Sequence, residues 1–159
     1  MNTYTEAARD IPVAGEYDVI VAGSGPAGVS AAVMAGRLGA KVLLIEWANS
    51  VGGISTSGLM SHWTGTVTSP LYTEILTRMA EKNEGEDKGK IVPQINPENL
   101  KAVYLEMLAD AGVKILLYTF ACGVIMDNNR VAGIITESKS GRRAFLGKVF
   151  VDGTGDGDV

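Results

Sequence analysis

The sequence predicts the mixed α/β class, as a doubly wound parallel sheet with an antiparallel β-meander inserted late in the chain. Three observations carry that prediction. Residues 18–22 (DVIVA) and 42–45 (VLLI) are short, nearly all-apolar runs with β-branched residues, suited to strands buried on both faces. Between them lie a glycine-rich turn and an alanine-rich stretch of helix length, and a strand–helix–strand order of this kind pairs its strands in parallel. After residue 118 the pattern changes to short strands separated by tight polar turns, which is how antiparallel hairpins read.

The first unit has a chemical meaning as well as a structural one. In GSGPAG, residues 23–28, Gly23 turns the chain tightly off the strand, Gly25 leaves the backbone open to an approaching anion, and Gly28 lets the helix pack close to the strand. Pro26 suits the first helical turn, where its missing N–H is no loss. The free N–H groups and positive dipole end of that helix then face the phosphates of a bound dinucleotide. Glu46 follows the second strand, roughly 20 residues beyond the turn. A carboxylate there accepts hydrogen bonds from ribose hydroxyls and repels a 2′-phosphate, which disfavours NADP. The unit is therefore Rossmann-like and expected to hold the adenosine diphosphate half of a dinucleotide.

The remaining elements follow in order. Ser69-Pro70 supplies an N-cap and a proline at the first helical position, and Leu71, Ile75, Leu76 and Met79 recur at helical spacing to about residue 83. A charged loop, NEGEDKG at 83–89, separates this helix from the next. Asn96-Pro97 repeats the start signal, Leu100, Val103, Tyr104, Met107, Leu108 and Ala111 form an apolar stripe, and Gly112 stops the helix. Residues 113–118 read as a third parallel strand. Residues 123–126, 131–137 and 142–146 read as the meander, and 148–152 as a fourth parallel strand.

Two glycine-rich segments bear on which dinucleotide is held. The loop VGGISTSGL at 51–59 stands where a plain NAD domain would continue into another helix, although its composition also fits an ordinary flexible loop. GTGDGD at 153–158 follows the last strand at once and offers a second backbone surface to the same extended ligand. Asp156 and Asp158 are close enough in sequence to suggest a cation site, but a calcium loop needs acids at positions 1, 3 and 5 and a glutamate at 12, a pattern that would run past residue 159, and no metal is expected.

Together, GSGPAG at 23–28, Glu46, GGISTSG at 52–58 and DGTGDGD at 152–158 resemble the FAD-dependent oxidoreductases of the glutathione-reductase structural superfamily. More narrowly, they resemble a bacterial FAD-dependent oxidoreductase family whose loop reads GG-x-x-T-S-G and whose later strand ends in A-T-G-D-G-D; here Gly153 replaces the alanine. The resemblance runs from residue 17 onward. It implies FAD as cofactor, with Gly23, Ser24, Gly25, Pro26, Ala27 and Gly28 along the pyrophosphate, and Glu46, with Trp47 beside it, at the adenosine. It further implies that Gly52, Gly53 and Thr56 approach the ribityl chain or flavin ring, that Thr154, Gly155 and Asp156 border the phosphates, and that Ala121 meets adenine through its backbone.

Size and composition narrow the rest. The chain has 159 residues, 46% of them hydrophobic and 20% charged, with a net charge of −4 and no basic cluster, so nothing points to nucleic acid. No apolar run is long enough to span a membrane. Residues 1–16 form a polar, flexible tail and 17–159 a cofactor-binding domain, in a chain expected to be cytoplasmic. Because the last motif occupies the final residues, the chain is expected to be the N-terminal portion of a longer protein, with the substrate domain largely absent and no activity guaranteed for this portion alone. Cys122 is the sole cysteine and reads as a small buried hydrophobe. His62, the sole histidine, reads as structural, and no side chain is assigned a catalytic role. The expected function is passage of a hydride through flavin to or from an unknown small-molecule substrate. A homo-oligomer is left open. An NAD-dependent dehydrogenase domain and a non-catalytic flavin- or nucleotide-binding module are the alternatives.

Overall fold

The structure, a computed structural model, describes residues 2–60, 62–64 and 68–159. Its elements are β1 (Val13–Ala22), α1 (Pro26–Arg37), β2 (Val42–Ile45), α2 (Pro70–Lys82), α3 (Pro97–Asp110), β3 (Lys114–Leu116), β4 (Phe120–Asp127), β5 (Arg130–Glu137) and β6 (Arg143–Asp152). The strands form a six-stranded sheet in the order β3-β2-β1-β6-β5-β4. β1 pairs in parallel with both β2 and β6, and β2 with β3. β5 is antiparallel to β4 and β6. This is the predicted Rossmann-like α/β sheet with an inserted meander.

Alternation along the central strands sorts the core into two layers, because successive side chains point to opposite faces. Val21 and Leu44 join Val29, Val33, Leu100, Val103, Met107 and Leu108 in one cluster, to which all three helices contribute. Ile20, Ala22, Leu43 and Ile45 point the other way and pack with Ile134 and Phe145 of the meander. Helices thus cover one face and meander residues the other, which explains why β1 and β2 read as continuously apolar. No described helix is long and apolar enough to cross a membrane.

The helix boundaries fall where the capping residues place them. The Ser69 hydroxyl accepts from the Tyr72 N–H at 3.1 Å, and Asn96 Oδ1 accepts from the N–H groups of Glu98 and Asn99 at 2.9 and 3.2 Å. Each such cap contributes about 1 kcal/mol. Beyond α3, Gly112 adopts φ +67° and turns the chain into β3. Arg37 of α1 grips Glu74 of α2 through two 2.7 Å bonds, and Arg78 of α2 reaches Asp110 of α3 at 2.9 Å. The Arg37 guanidinium holds the Glu74 carboxyl below its usual range.

Several boundaries differ from the sequence reading: β3 is shorter than 113–118, and β4 starts at Phe120 and not at 123. β1 starts at Val13, inside the stretch assigned to the tail, because Ala144 N–H donates to Pro12 O at 2.9 Å and Val13 pairs with Ala144. The third meander strand and the fourth parallel strand are a single strand, β6. Its residues 143–146 pair with β5 while its whole length follows β1, and Gly147 passes through without a break.

Candidate functional site

Three glycine segments distant in sequence converge at the C-terminal ends of the parallel strands. Ala22 and Asp152 are register partners, so the turns that follow β1 and β6 leave the sheet side by side. Gly23 N–H donates to Ile45 O at 2.8 Å, Gly153 N–H to Ala22 O at 2.7 Å, and Gly52 N–H to Ser24 O at 2.7 Å. The contact is too close for side chains. A methyl group on Gly23 would overlap the Gly153 carbonyl and stand 2.7 Å from Thr154 N, one on Gly28 would overlap the Gly23 carbonyl, and one on Gly53 would stand 3.1 Å from Gly25 Cα. Gly23 also needs its φ of +88°, open to glycine at little cost.

Gly25 differs from these. Nothing lies within 4 Å of where its Cβ would point, so its backbone faces open space. The same residue is the N-cap of α1 and offers no side chain to cap it, leaving the first-turn amides available to an anion. That cradle, which a side chain would fill, is what a pyrophosphate requires.

Glu46 is locked in place beside it, with only 5% of its surface exposed. Its Oε2 accepts from the Ser24 N–H at 2.8 Å and from the Ser24 hydroxyl at 2.6 Å, while Oε1 accepts from the Ala48 N–H at 2.7 Å. A carboxylate offers about four acceptor sites, so three are spoken for and one on Oε1 is left for a ribose hydroxyl. Ser24, expected along the pyrophosphate, lines the cavity and points its hydroxyl at Glu46.

These segments border a cavity of about 1110 Å³, beyond the roughly 300–1,000 Å³ of an ordinary small-ligand site. Of the residues named from sequence, Gly23, Ser24, Gly25, Pro26, Glu46 and Trp47 line it on the side of the first turn. Gly53, Ala121, Thr154 and Asp156 line it from the other segments. Ala27, Gly28, Gly52, Thr56 and Gly155 are not in its wall. Gly28 is packed beneath Gly23, and Thr56 is fully buried with its hydroxyl donating to Val51 O at 2.7 Å, closing the 51–56 loop on itself. Sequence reasoning missed Asn49, Ile54, Ser57, Tyr118, Phe120 and Asp158, all of which line the cavity. Only the exposed apolar type of Ile54, Tyr118 and Phe120 could have signalled them.

The second turn is built around Asp152. Its Oδ1 accepts from the Thr154 N–H at 3.0 Å and the Thr154 hydroxyl at 2.7 Å, and its Oδ2 accepts from the Val159 N–H at 3.0 Å. The Thr154 hydroxyl oxygen in turn accepts from the N–H groups of Gly157 and Asp158, each at 3.1 Å. Burial alone raises the Asp152 carboxyl, but the bonds from Thr154 and Val159 outweigh it and carry the group below its usual value. Its stabilisation is therefore present above the ordinary carboxylate range and is lost as pH falls through the lower, folded value. Asp152→Asn is expected to lower the melting temperature at neutral pH, with the gap to the unmodified chain closing in acid. A gap independent of pH in thermal melts would refute that role.

His62 is exposed and forms an isolated antiparallel bridge with Gln94, and it is not among the residues that line the cavity. His62→Ala is expected to leave flavin content unchanged, as read from the ratio of visible to ultraviolet absorbance of the purified protein. Cys122 is half-buried on β4, its thiol directed at Ile135 O at 3.5 Å.

Paired glycine elbows at the ends of neighbouring parallel strands, an anchored acid and an intervening meander define a dinucleotide-binding α/β domain of the flavoprotein type. Residues 18–159 match the family described as FAD dependent oxidoreductase, and the chain belongs to that family. Among curated proteins, the thiamine thiazole synthase of Methanococcus aeolicus is 32% identical over 150 residues, covering 88% of this chain and 55% of its own. The digeranylgeranylglycerophospholipid reductase of Methanocella arvoryzae is 30% identical over 159 residues, covering 88% of this chain and 39% of its own. The chain thus spans between 33% and 55% of the length of these and a further reductase from Methanococcoides burtonii. Among solved structures, a geranylgeranyl bacteriochlorophyll reductase-like protein from Thermoplasma acidophilum superposes with TM-score 0.61 at 22% identity, over 87% of this chain and 39% of that one. The 3-ketosteroid dehydrogenase of Rhodococcus jostii gives 0.62 at 18% identity, over 87% and 46%. At such identities these two likenesses establish the fold.

Proposed function

We propose that this chain is the cofactor-binding part of an FAD-dependent oxidoreductase acting on a small-molecule substrate. The observation that carries the reading is the meeting of the Gly23 and Gly153 elbows beside the open backbone of Gly25, above a cavity of about 1110 Å³. A single long diphosphate ligand needs both surfaces. The residues present fit FAD: Gly25, Pro26 and the N-terminus of α1 hold the pyrophosphate, Glu46 accepts from the adenosine ribose, and Gly53, Ser57 and Thr154 border the remaining length. Bound FAD supplies the two-electron redox chemistry; the protein supplies position and a shaped, largely apolar wall.

The rest of the reading is a small-molecule substrate and a cytoplasmic, bacterial setting, without nucleic acid or membrane among the partners and with room for a homo-oligomer. A net charge of −4 without a basic cluster supports the exclusion of nucleic acid, and the motif resemblance supports the bacterial setting. The test is an absorption spectrum of the purified protein, with the pigment identified after denaturation. Flavin bands and released FAD are expected; a colourless protein that binds NAD instead overturns the reading.

A further inference from the structure

The Gly53–Ser55 turn of the 51–59 loop has two sides. Toward the cavity it presents Gly53 and Ile54, with Ser57 and Gly58 just beyond. Toward the core it presents Ser55, 1% exposed, whose hydroxyl has no hydrogen-bond partner among the described residues. A buried hydroxyl without a partner costs about 1–3 kcal/mol. The loop pattern GG-x-x-T-S-G leaves residue 55 unspecified, so the motif gives no reason for a serine there.

The loop's own bonds give none either. Gly52 N–H is fastened to Ser24 O, but beyond that point the segment closes on itself: Thr56 and Gly58 N–H donate to Gly53 O at 3.1 and 3.0 Å, and Met60 N–H donates to Ile54 O at 3.1 Å. Such bonds hold a loop's shape and not its placement against the core. The polar group at hand is the phenol of Tyr104, in the middle of α3. It is 1% exposed and belongs to the same core cluster as Val51, at the root of the loop. Burial pushes that phenol up, and the Ser55 side chain beside it works in the opposite sense. The two hydroxyls are thus neighbours whose bond is made or broken by the placement of the turn.

We infer that Tyr104 is a positioning residue for the cofactor: its phenol takes up the Ser55 hydroxyl when the turn is placed for FAD, and so sets where Gly53 and Ile54 stand along the part of FAD beyond its ADP half. The inference rests on the cofactor reading above. It gives α3, none of whose residues line the cavity, control over one stretch of the wall.

The test is calorimetric titration of FAD and of ADP into the full chain freed of bound nucleotide, with thermal melts of each variant. Tyr104→Phe removes only the hydroxyl and is expected to weaken FAD binding roughly fivefold, the loss of one hydrogen bond. ADP affinity is expected to stay within about twofold and the melting temperature to fall by no more than about 2 °C. Ser55→Ala is expected to give the same pattern, and the double variant the same roughly fivefold loss, because both changes remove one contact. Unchanged FAD affinity in Tyr104→Phe, a parallel loss of ADP affinity, or losses that multiply in the double variant each overturns this inference and leaves the cofactor reading intact. Failure of the unmodified chain to bind FAD overturns both.

Discussion

Replacing Gly28 by alanine is expected to damage the fold itself and not only the ligand site. The added methyl would overlap the carbonyl oxygen of Gly23, which belongs to the turn that joins β1 to α1. Neither partner is the flexible end of a side chain, so relief requires α1 to move off the sheet. α1 contributes Val29, Ala32 and Val33 to the main core cluster, and that displacement opens the layer beneath the helices. Forced overpacking of this kind costs about 3 kcal/mol. For a domain of this size the expected fall in melting temperature is roughly 6–12 °C, measured by circular dichroism on protein without cofactor. A variant that melts with the unmodified chain would show that the strand and helix are not packed as described.

Gly25→Ala is expected to do the reverse, sparing the fold and emptying the site. Its φ of −61° is ordinary for any residue, and the new methyl meets no protein atom within 4 Å. The methyl instead occupies the space the pyrophosphate must enter. The expected result is a melting temperature unchanged to within about 2 °C and FAD affinity lowered roughly 100-fold, or about 2.7 kcal/mol. Flavin fluorescence during titration of the cofactor-free chain measures the second quantity. Full affinity in Gly25→Ala would place the phosphates elsewhere. Two glycines three residues apart thus give opposite signatures, which separates a packing glycine from a contact glycine.

Much of this was legible in the sequence because it follows from local chemistry. Pro26, Pro70 and Pro97 mark the starts of α1, α2 and α3, Ser69 and Asn96 cap two of them, and the start without a side-chain cap is the one that borders the cavity. The acid at Glu46 and the glycine turns lie at the strand ends where their spacing put them. The rest depended on contacts between segments far apart in sequence. Thr56 looks like a contact residue by motif, yet its hydroxyl is consumed by Val51 O. Ser24 sits within the phosphate turn, yet its hydroxyl positions Glu46. Tyr118 reads as the end of the third strand, and with Phe120 it lines the cavity where the Tyr118 turn is bonded to Ala48. The single strand β6 was divided in reading because a glycine between two apolar runs signals an interruption, whereas pairing with β1 carries it across Gly147.

That strand has a consequence for how the protein acquires its ligand. β6 lies against β1 in the finished sheet although the chain from Ala22 to Arg143 separates them, and their pairing brings the second elbow beside the first. Contacts of such long range close late, since the loop entropy must be met before the pairing rewards it. During synthesis the nucleotide therefore has half a grip at most until the meander has emerged and folded back. Flavin uptake is expected to report completion of the sheet rather than to template it.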